Sequence, residues 1–266
     1  MPLLHLILVA LVQGITEFLP VSSSGHLVLV PMVTGYDDQG LAVDVAVHVG
    51  TLAAVIAYFR SEIALAARGF LDLLARRATP GARLALGLVV ATLPVMLAGL
   101  ALKVSGLDEA MRSIVVIGWA MLIFGIVLWW ADRFPARRTD TGWSVRDAFV
   151  MGLWQAVALI PGTSRSGIVI TGARTLGYDR ESAARLAMLM SVPTILAAGS
   201  LLGLEALTTP HGPGFWRDLA LAAFLSGLSA FAALALMMRL LRSVSFTPYV
   251  IYRIALGIGL LIWAYA

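Results

Sequence analysis

Two short polar runs interrupt apolar stretches of this sequence, and each carries side chains that can handle an anion. The first run, 22–26, holds three consecutive serines, a glycine and His26, with Glu17 a few residues upstream. A serine hydroxyl is a nucleophile, histidine titrates near neutral pH, and helix N-termini bind phosphate above all. The run therefore predicts an anion pocket with its own nucleophile and its own acid–base group.

The second run, 161–167, combines hydroxyl side chains with an arginine. It reads Pro-Gly-Thr-Ser-Arg-Ser-Gly, so its hydroxyls and backbone N–H groups can form a nest for an anion. Arg165 has the planar fork that binds a phosphate through two parallel hydrogen bonds. Its resting partner could equally be Glu17, and the two interpretations are compatible because a substrate phosphate can share the arginine.

Ionisable groups within apolar segments are costly, and by default they indicate function. Gln13 and Glu17 lie four residues apart, so a helix would place both on one face. Asp44 and His48 have the same spacing, and we interpret that pair as a structural hydrogen bond rather than a catalytic dyad. No second acidic residue lies near the two runs, but one carboxylate together with substrate phosphates suits Mg²⁺ or Ca²⁺.

The composition places these residues in a membrane protein. Hydrophobic residues make up 60% of the 266 positions, charged residues 13%, and the mean hydropathy is +0.91. A soluble domain averages about 45–50% apolar and about 25% charged residues, so a soluble fold could not hide this much apolar surface. The sequence therefore predicts a polytopic membrane protein, and with 0 Cys it has neither disulfides nor thiolate chemistry.

Six stretches are apolar over the roughly 20 residues that a membrane-spanning helix needs. They are roughly 41–59, 84–103, 113–131, 185–206, 217–238 and 248–266. Two further apolar regions, 3–34 and 147–175, contain the polar runs at their centres. Broken backbone survives at membrane depth only where it is buried in protein or lines a wet cavity, so each region is predicted to be a re-entrant helical hairpin. The alternative, eight plain spans, would bury Glu17 and Arg165 for no evident reason.

The order of one hairpin and three spans occurs twice. A shift of 142 residues aligns Gln13 with Gln155 and brings the two polar runs into register. Because an odd number of spans separates the hairpins, they enter from opposite faces, and inverted repeats of this kind place their sites near the midplane. We predict an all-α protein with one membrane domain, 1–266, built from inverted repeats at about 1–131 and 147–266.

Basic residues indicate the orientation. Arginines cluster in the predicted loops 60–83 and 132–146, whereas the opposite loops carry few basic residues. By the positive-inside rule the arginine-rich loops are cytoplasmic, so both termini lie outside and the first hairpin opens outward. These loops account for the net charge of +4, and no nucleic acid partner is expected.

The two polar runs together resemble the paired signature motifs of the undecaprenyl-diphosphate phosphatases, also called the bacitracin-resistance protein family. The matching segments are EFLPVSSSGH at 17–26 and PGTSRSG at 161–167, and the likeness covers essentially the whole chain. The resemblance implies removal of the terminal phosphate of undecaprenyl diphosphate, which yields the lipid carrier for peptidoglycan and other envelope polymers. It also implies a divalent cation, Mg²⁺ or Ca²⁺, a site facing the periplasm or outside of the bacterial inner membrane, and a homodimer.

The resemblance also assigns roles to residues. Ser23 matches the serine thought to attack phosphorus, His26 matches the motif histidine, and Ser164 and Arg165 match the motif Ser-Arg pair. Our own hypothesis is that His26 or Glu17 takes the serine proton. Arg165 holds the diphosphate, and Gln13 stands where the family has Glu or Gln, so a metal role passes mainly to Glu17. Two other mechanisms stay open, with either His26 or a metal-activated water as the attacking group. The remaining residues of the two runs are expected to bind substrate: Ser22, Ser24, Gly25, Gly162, Thr163, Ser164, Ser166 and Gly167.

A transporter is the main alternative function. Inverted repeats with broken helices are common in transporters, and a fold does not fix a function. A flippase of polyprenyl phosphate would need Arg165 and an anion nest. It would have no use for a serine nucleophile beside His26 and Glu17, so these residues favour an enzyme.

Overall fold

The computed structural model is all-helical. It describes residues 1–107, 111, 113–208 and 214–266, with backbone only for 201–208. Within these ranges the chain forms eleven α-helices, with a short 3₁₀ turn before α7. The helices are α1 (Leu3–Phe18), α2 (Ser23–Thr34), α3 (Leu41–Tyr58), α4 (Arg60–Leu74), α5 (Pro80–Ser105), α6 (Ile114–Ala131), α7 (Val145–Val157), α8 (Arg165–Thr175), α9 (Arg180–Thr208), α10 (Phe215–Leu240) and α11 (Thr247–Tyr265).

Six of the described helices are long and apolar enough to cross a membrane, namely α3, α5, α6, α9, α10 and α11. They coincide with the six predicted stretches to within a few residues at each end. In α9 the apolar part covers Arg180–Ser200. The prediction of an all-α, polytopic membrane protein is therefore confirmed.

Each of the two interrupted regions forms a pair of shorter helices. Residues 19–22 connect α1 to α2, residues 158–164 connect α7 to α8, and the two helices of each pair contact each other. We call each connection, together with the last turn of the helix before it and the first turn of the helix after it, a tip. The first tip joins α1 to α2, and the second tip joins α7 to α8. Immediately before α2 and α8 the backbone has a positive φ, 74° at Ser22 and 69° at Ser164, which is uncommon for a residue other than glycine. These two serines are aligned by the shift of 142 residues, so the two tips turn in the same way.

The contacts between the two halves come in matching sets. Where a helix of one half contacts a helix of the other, the equivalents of those two helices also contact each other. α1 contacts α10 and its equivalent α7 contacts α5, while α3 contacts α10 and its equivalent α9 contacts α5. α6 contacts α11, which is its own equivalent in the other half. This is the pairing that a twofold relation requires, but the inverted orientation and the repeat bounds, 1–131 and 147–266, stay predictions.

The segment 60–83, predicted from the sequence to be a loop, contains a helix. α4 packs closely against α5. The close approach is evident at Gly69, where an added Cβ atom would lie only 1.9 Å from the carbonyl carbon of Gly81. The helix exposes Leu71 and Leu74 as well as its arginines. Charged and apolar residues mix in this amphipathic segment, so neither a long apolar run nor a clear turn marked the helix in advance.

Glycines allow the helices that carry the first tip to approach closely, as small residues do in membrane proteins. A Cβ atom on Gly14 would lie 2.4 Å from the carbonyl oxygen of Ser226, which holds α1 against α10. A Cβ atom on Gly50 would lie 2.1 Å from the carbonyl oxygen of Ala223, which holds α3 against the same helix. α10 thereby fixes α1, and Glu17 with it, relative to α3.

We predict that Gly50→Ala destabilises the protein. The added methyl group overlaps backbone, and overpacking of this kind costs about 1–3 kcal/mol. For a chain of this size the melting temperature, Tm, should fall by roughly 2–10 °C in detergent. The control is Gly259→Ala, because a Cβ atom there has no neighbour within 4 Å among the described residues. An unchanged Tm in Gly50→Ala would contradict the close contact between α3 and α10.

Candidate active site

The two tips meet and are hydrogen-bonded to each other. The Gly162 N–H donates to Ser24 Oγ at 3.3 Å, and Ser166 Oγ donates to the carbonyl oxygen of Leu19 at 3.0 Å. Two segments that are far apart in the sequence therefore form one polar surface.

An ion pair between Glu17 and Arg165 joins the two tips. Glu17 lies in the last turn of α1, and Arg165 is the first residue of α8. Their side chains are only 5% and 18% exposed, and Arg165 Nη1 also donates to the carbonyl oxygen of Ser191 in α9 at 3.3 Å. Because either charge buried alone would be strongly unfavourable, each stabilises the other at this depth.

Ser23 contacts the same carboxylate. Its Oγ donates to Glu17 Oε2 at 2.7 Å, and Gln13 Nε2 donates to that oxygen at 2.9 Å. A hydroxyl that is hydrogen-bonded to a possible proton acceptor has the geometry of an activated nucleophile. Arg165 contacts the other oxygen, Oε1, so Arg165 and Ser23 do not compete for one atom of the carboxylate.

A cavity of about 350 Å³ lies beside these residues. Polar residues from both tips and from α3 and α9 line it: Glu17, Ser22, Ser23, Ser24, Asp44, His48, Ser164, Arg165 and Thr194. Apolar residues line it as well: Leu41, Val45, Ala158, Ile195 and Ala198. A cavity lined by both charged and apolar side chains suits a ligand that joins a phosphate to a hydrocarbon.

His26 has polar partners at both ring nitrogens. Nδ1 lies 2.7 Å from the carbonyl oxygen of Ser22, and Nε2 lies 2.6 Å from the hydroxyl of Tyr252, on which the ring also stacks. His26 therefore links the first tip to α11. The Ser23 hydroxyl is hydrogen-bonded to Glu17, so the geometry favours Glu17 as its base, and the catalytic role of His26 stays a prediction.

His48 lines the same cavity, although its spacing from Asp44 indicated only a structural hydrogen bond. Its Nδ1 lies 2.7 Å from the backbone carbonyl of Asp44, and its Nε2 lies 3.9 Å from Glu17 Oε2. The first contact is a structural hydrogen bond of the expected kind. The second could not be read from spacing along α3, because only the packing of α1 beside α3 creates it.

The serines of the two tips repeat one local arrangement. Ser164 Oγ lies 3.2 Å from Ser166 Oγ, and Ser22 Oγ lies 3.2 Å from Ser24 Oγ. Ser164 Oγ also accepts from the Gly167 N–H at 3.2 Å, which caps the start of α8. Ser22, Ser24 and Ser164 line the cavity.

Three other residues predicted to bind substrate are packed behind the tips. A Cβ atom on Gly25 would lie 2.9 Å from Met121 Sδ, and one on Gly162 would lie 2.5 Å from the carbonyl oxygen of Ile117, both in α6. Gly162 also has a φ of 90°, so only glycine fits there. Thr163 is fully buried. The structure gives these residues a role in shaping the tips, and direct contact with substrate stays a prediction.

The first tip also offers oxygen atoms that could hold a hard cation. Gln13 Oε1 is buried next to Glu17 and has no hydrogen-bond partner among the described residues. Within the same residues, no three His, Cys, Asp or Glu side chains are grouped to hold a metal ion. A carboxylate and one amide oxygen fit Mg²⁺ or Ca²⁺ whose other ligands are phosphate oxygens and water.

Comparison with known proteins agrees with this geometry. The family described as bacitracin resistance protein BacA matches residues 6–259 of the chain. The chain belongs to the BacA family. Among members of this family, the undecaprenyl-diphosphatases of Roseobacter denitrificans and Ruegeria pomeroyi are 63% and 62% identical to it over the whole of both chains. The undecaprenyl-diphosphatase of Hahella chejuensis is 45% identical over 98% of each chain. The family membership predicted from the two polar runs is thus confirmed. The names of these relatives favour a phosphatase over a transporter.

We predict that the ion pair is a major determinant of stability. Arg165→Gln and Glu17→Gln each leave one buried charge unpaired, which costs about 3–5 kcal/mol. The double variant removes both charges, so its loss of Tm should be smaller than the sum of the two single losses. Arg242→Gln is the control, because the Arg242 side chain is 71% exposed. Additive losses in the double variant would contradict a direct pair.

Proposed function

We propose that this protein is an undecaprenyl-diphosphate phosphatase, a hydrolase that removes the terminal phosphate of its lipid substrate. One observation carries the proposal: Ser23 is hydrogen-bonded to Glu17, Glu17 is paired with Arg165, and all three residues line the cavity. The names of these relatives, undecaprenyl-diphosphatases, support the same substrate. The product, undecaprenyl phosphate, is the lipid carrier for peptidoglycan and cell-envelope synthesis, and its recycling would confer bacitracin resistance.

In the proposed reaction, Ser23 Oγ attacks the terminal phosphorus and Glu17 accepts its proton. The bond between that phosphorus and the bridging oxygen breaks, and the lipid phosphate leaves with the proton that Glu17 accepted, which returns Glu17 to its carboxylate form. Water then hydrolyses the phosphoserine, with Glu17 as the base for this second step. Arg165 binds the non-bridging oxygens, because phosphoryl transfer depends mainly on positioning and charge stabilisation.

Substrate binding also changes the resting ion pair. A diphosphate that reaches Arg165 competes with Glu17 for its guanidinium, which has five N–H donors. Sharing the arginine weakens its hold on the carboxylate, so Glu17 becomes a better proton acceptor when substrate is present. The pair would therefore stabilise the empty site and activate the occupied one.

A divalent cation, Mg²⁺ or Ca²⁺, is part of the proposal. Glu17 and the unpartnered Gln13 Oε1 would hold it together with substrate oxygens. When bound, it would neutralise negative charge on the phosphates. The protein's own groups still supply the nucleophile, the base and the guanidinium.

The membrane location is proposed to be the bacterial plasma (inner) membrane, with the site facing the periplasm. Six apolar helices support a multi-pass protein. The arginine-rich segments around α4 and before α7 support a cytoplasmic position for the opposite face. A homodimer stays a prediction from the family alone.

The activity is tested by phosphate release from undecaprenyl diphosphate with the purified protein in detergent. We expect release by the wild type, loss with EDTA, and recovery on adding excess Mg²⁺ or Ca²⁺. Arg165→Ala should nearly abolish release, and Arg165→Lys should not restore it, because an ammonium lacks the guanidinium fork. Arg242→Ala, at an exposed position, is the control. No release by folded wild-type protein would contradict the proposal and favour lipid-phosphate flipping, which a vesicle assay measures.

The orientation is tested by labelling single cysteines, because the chain has 0 native Cys. Ser105 and Ala78 are both exposed and lie on opposite sides of the predicted topology. We expect a membrane-impermeant maleimide to label Ser105→Cys in intact spheroplasts, and to label Ala78→Cys only after lysis. The reverse pattern would place the site on the cytoplasmic face.

A further inference from the structure

Arg253 is a fully buried arginine within the membrane-spanning helix α11. A charged side chain in a span is costly and usually has a functional reason. In the part of the chain that the structure describes, Arg253 takes part in none of the ion pairs. Its charge is therefore not neutralised by a carboxylate of the described protein.

The guanidinium lies directly behind the second tip. Arg253 Nη2 donates to the carbonyl oxygens of Gly162 and Thr163, at 3.2 and 2.8 Å. Nε and Nη1 have no hydrogen-bond partner among the described residues. Nη1 faces the start of α8, where a Cβ atom on Gly167 would lie 2.9 Å away.

Gly162 is thereby held on both sides. Its N–H donates to Ser24 of the first tip, and its carbonyl accepts from Arg253. Arg165 follows three residues later, as the first residue of α8. A shift of the backbone at Gly162 would move the Arg165 guanidinium relative to Glu17 and to a bound phosphate.

A second buried arginine shows that Arg253 is unusual. Arg174, at the other end of α8, also donates to backbone carbonyls, including those of Asp132 and Phe134. Arg174 additionally has a carboxylate partner, because its Nε lies 3.4 Å from Asp132 Oδ1. The buried charge is thus paired with a carboxylate at Arg174 and not at Arg253.

We propose that Arg253 is a positioning residue for the diphosphate group of the substrate. It fixes the second tip in the conformation in which Arg165 meets the phosphate, and its buried charge is balanced when the anion binds. Charges interact strongly in a low-dielectric interior, so Arg253 contributes to anion binding without touching the substrate. This inference rests on the proposed function, since it concerns the same site and the same substrate class.

The test compares Arg253→Gln, Arg253→Lys and the matched control Arg174→Gln. Two quantities are measured in detergent: kcat and KM for undecaprenyl diphosphate, and the Tm shift caused by inorganic pyrophosphate. We expect Arg253→Gln to lower kcat/KM by about 100-fold, the order of effect of a misplaced binding group, and to lose the pyrophosphate shift. Arg253→Lys should recover part of the shift, because it keeps the charge but not the planar fork. Arg174→Gln should lower Tm yet keep kcat/KM within about threefold of wild type, since it alters no tip contact.

A folded Arg253→Gln protein with wild-type kcat/KM and a wild-type pyrophosphate shift would overturn the inference. If neither Arg253 variant folds, Gly167→Ala decides when it is compared in the wild type and in Ser164→Ala, because its methyl group would lie 2.9 Å from Nη1 but also 3.1 Å from Ser164 Oγ. Gly259→Ala, on the same helix as Arg253 and in open space, is the control in both backgrounds. A loss of kcat/KM on adding Gly167→Ala in both backgrounds supports the inference, and no further loss in the Ser164→Ala background overturns it.

The two measurements distinguish a failure of the proposed function from a failure of this inference. Wild-type protein that releases no phosphate contradicts the phosphatase but not the positioning role. The pyrophosphate shift needs no turnover, so its presence in wild type and loss in Arg253→Gln would still support the inference. Its retention in a folded Arg253→Gln protein would still overturn it.

Discussion

The ion pair between Glu17 and Arg165 is the interaction on which the site depends. Neither charge is stable alone among buried apolar helices, so the two tips can lie at this depth only if they meet. The packing serves this meeting: the close contact at Gly14 holds α1 against α10, and Arg165 is also anchored to the carbonyl of Ser191. Once Glu17 is fixed in this way, its other oxygen is available to the Ser23 hydroxyl.

The two halves use one backbone design for different chemistry. Ser23 and Arg165 are aligned by the shift of 142 residues, and each is the first residue of the helix that follows its tip. Both contact Glu17, Ser23 through Oε2 and Arg165 through Oε1. In the proposed function, one position thus supplies a nucleophile in the first half and a phosphate-binding group in the second. The Glu17 carboxylate, which has Leu159 as its counterpart, brings the two functions together.

Much of this arrangement is readable in the sequence, because apolar length marks the six spans and the polar runs mark the tips. Glu17 could also be predicted as a resting partner for Arg165, since a buried arginine needs an anion. The helix α4 was not predicted, because charged residues are mixed with apolar ones along this segment. The contact of His48 with Glu17 and the position of Arg253 behind the second tip were not predicted either. Those depend on which helices become neighbours, and a single arginine near the start of a span looks like an ordinary membrane anchor.

The most direct test of this account is to locate the phosphate that the enzyme carries during turnover. Purified protein is mixed with undecaprenyl diphosphate radiolabelled in its terminal phosphate, the reaction is quenched, and the labelled peptide is sequenced. The account predicts an acid-stable label on Ser23. It also predicts that Ser23→Ala carries no label and releases phosphate at least about 10³-fold more slowly. An acid-labile label on His26, or release by Ser23→Ala at the wild-type rate, would contradict it.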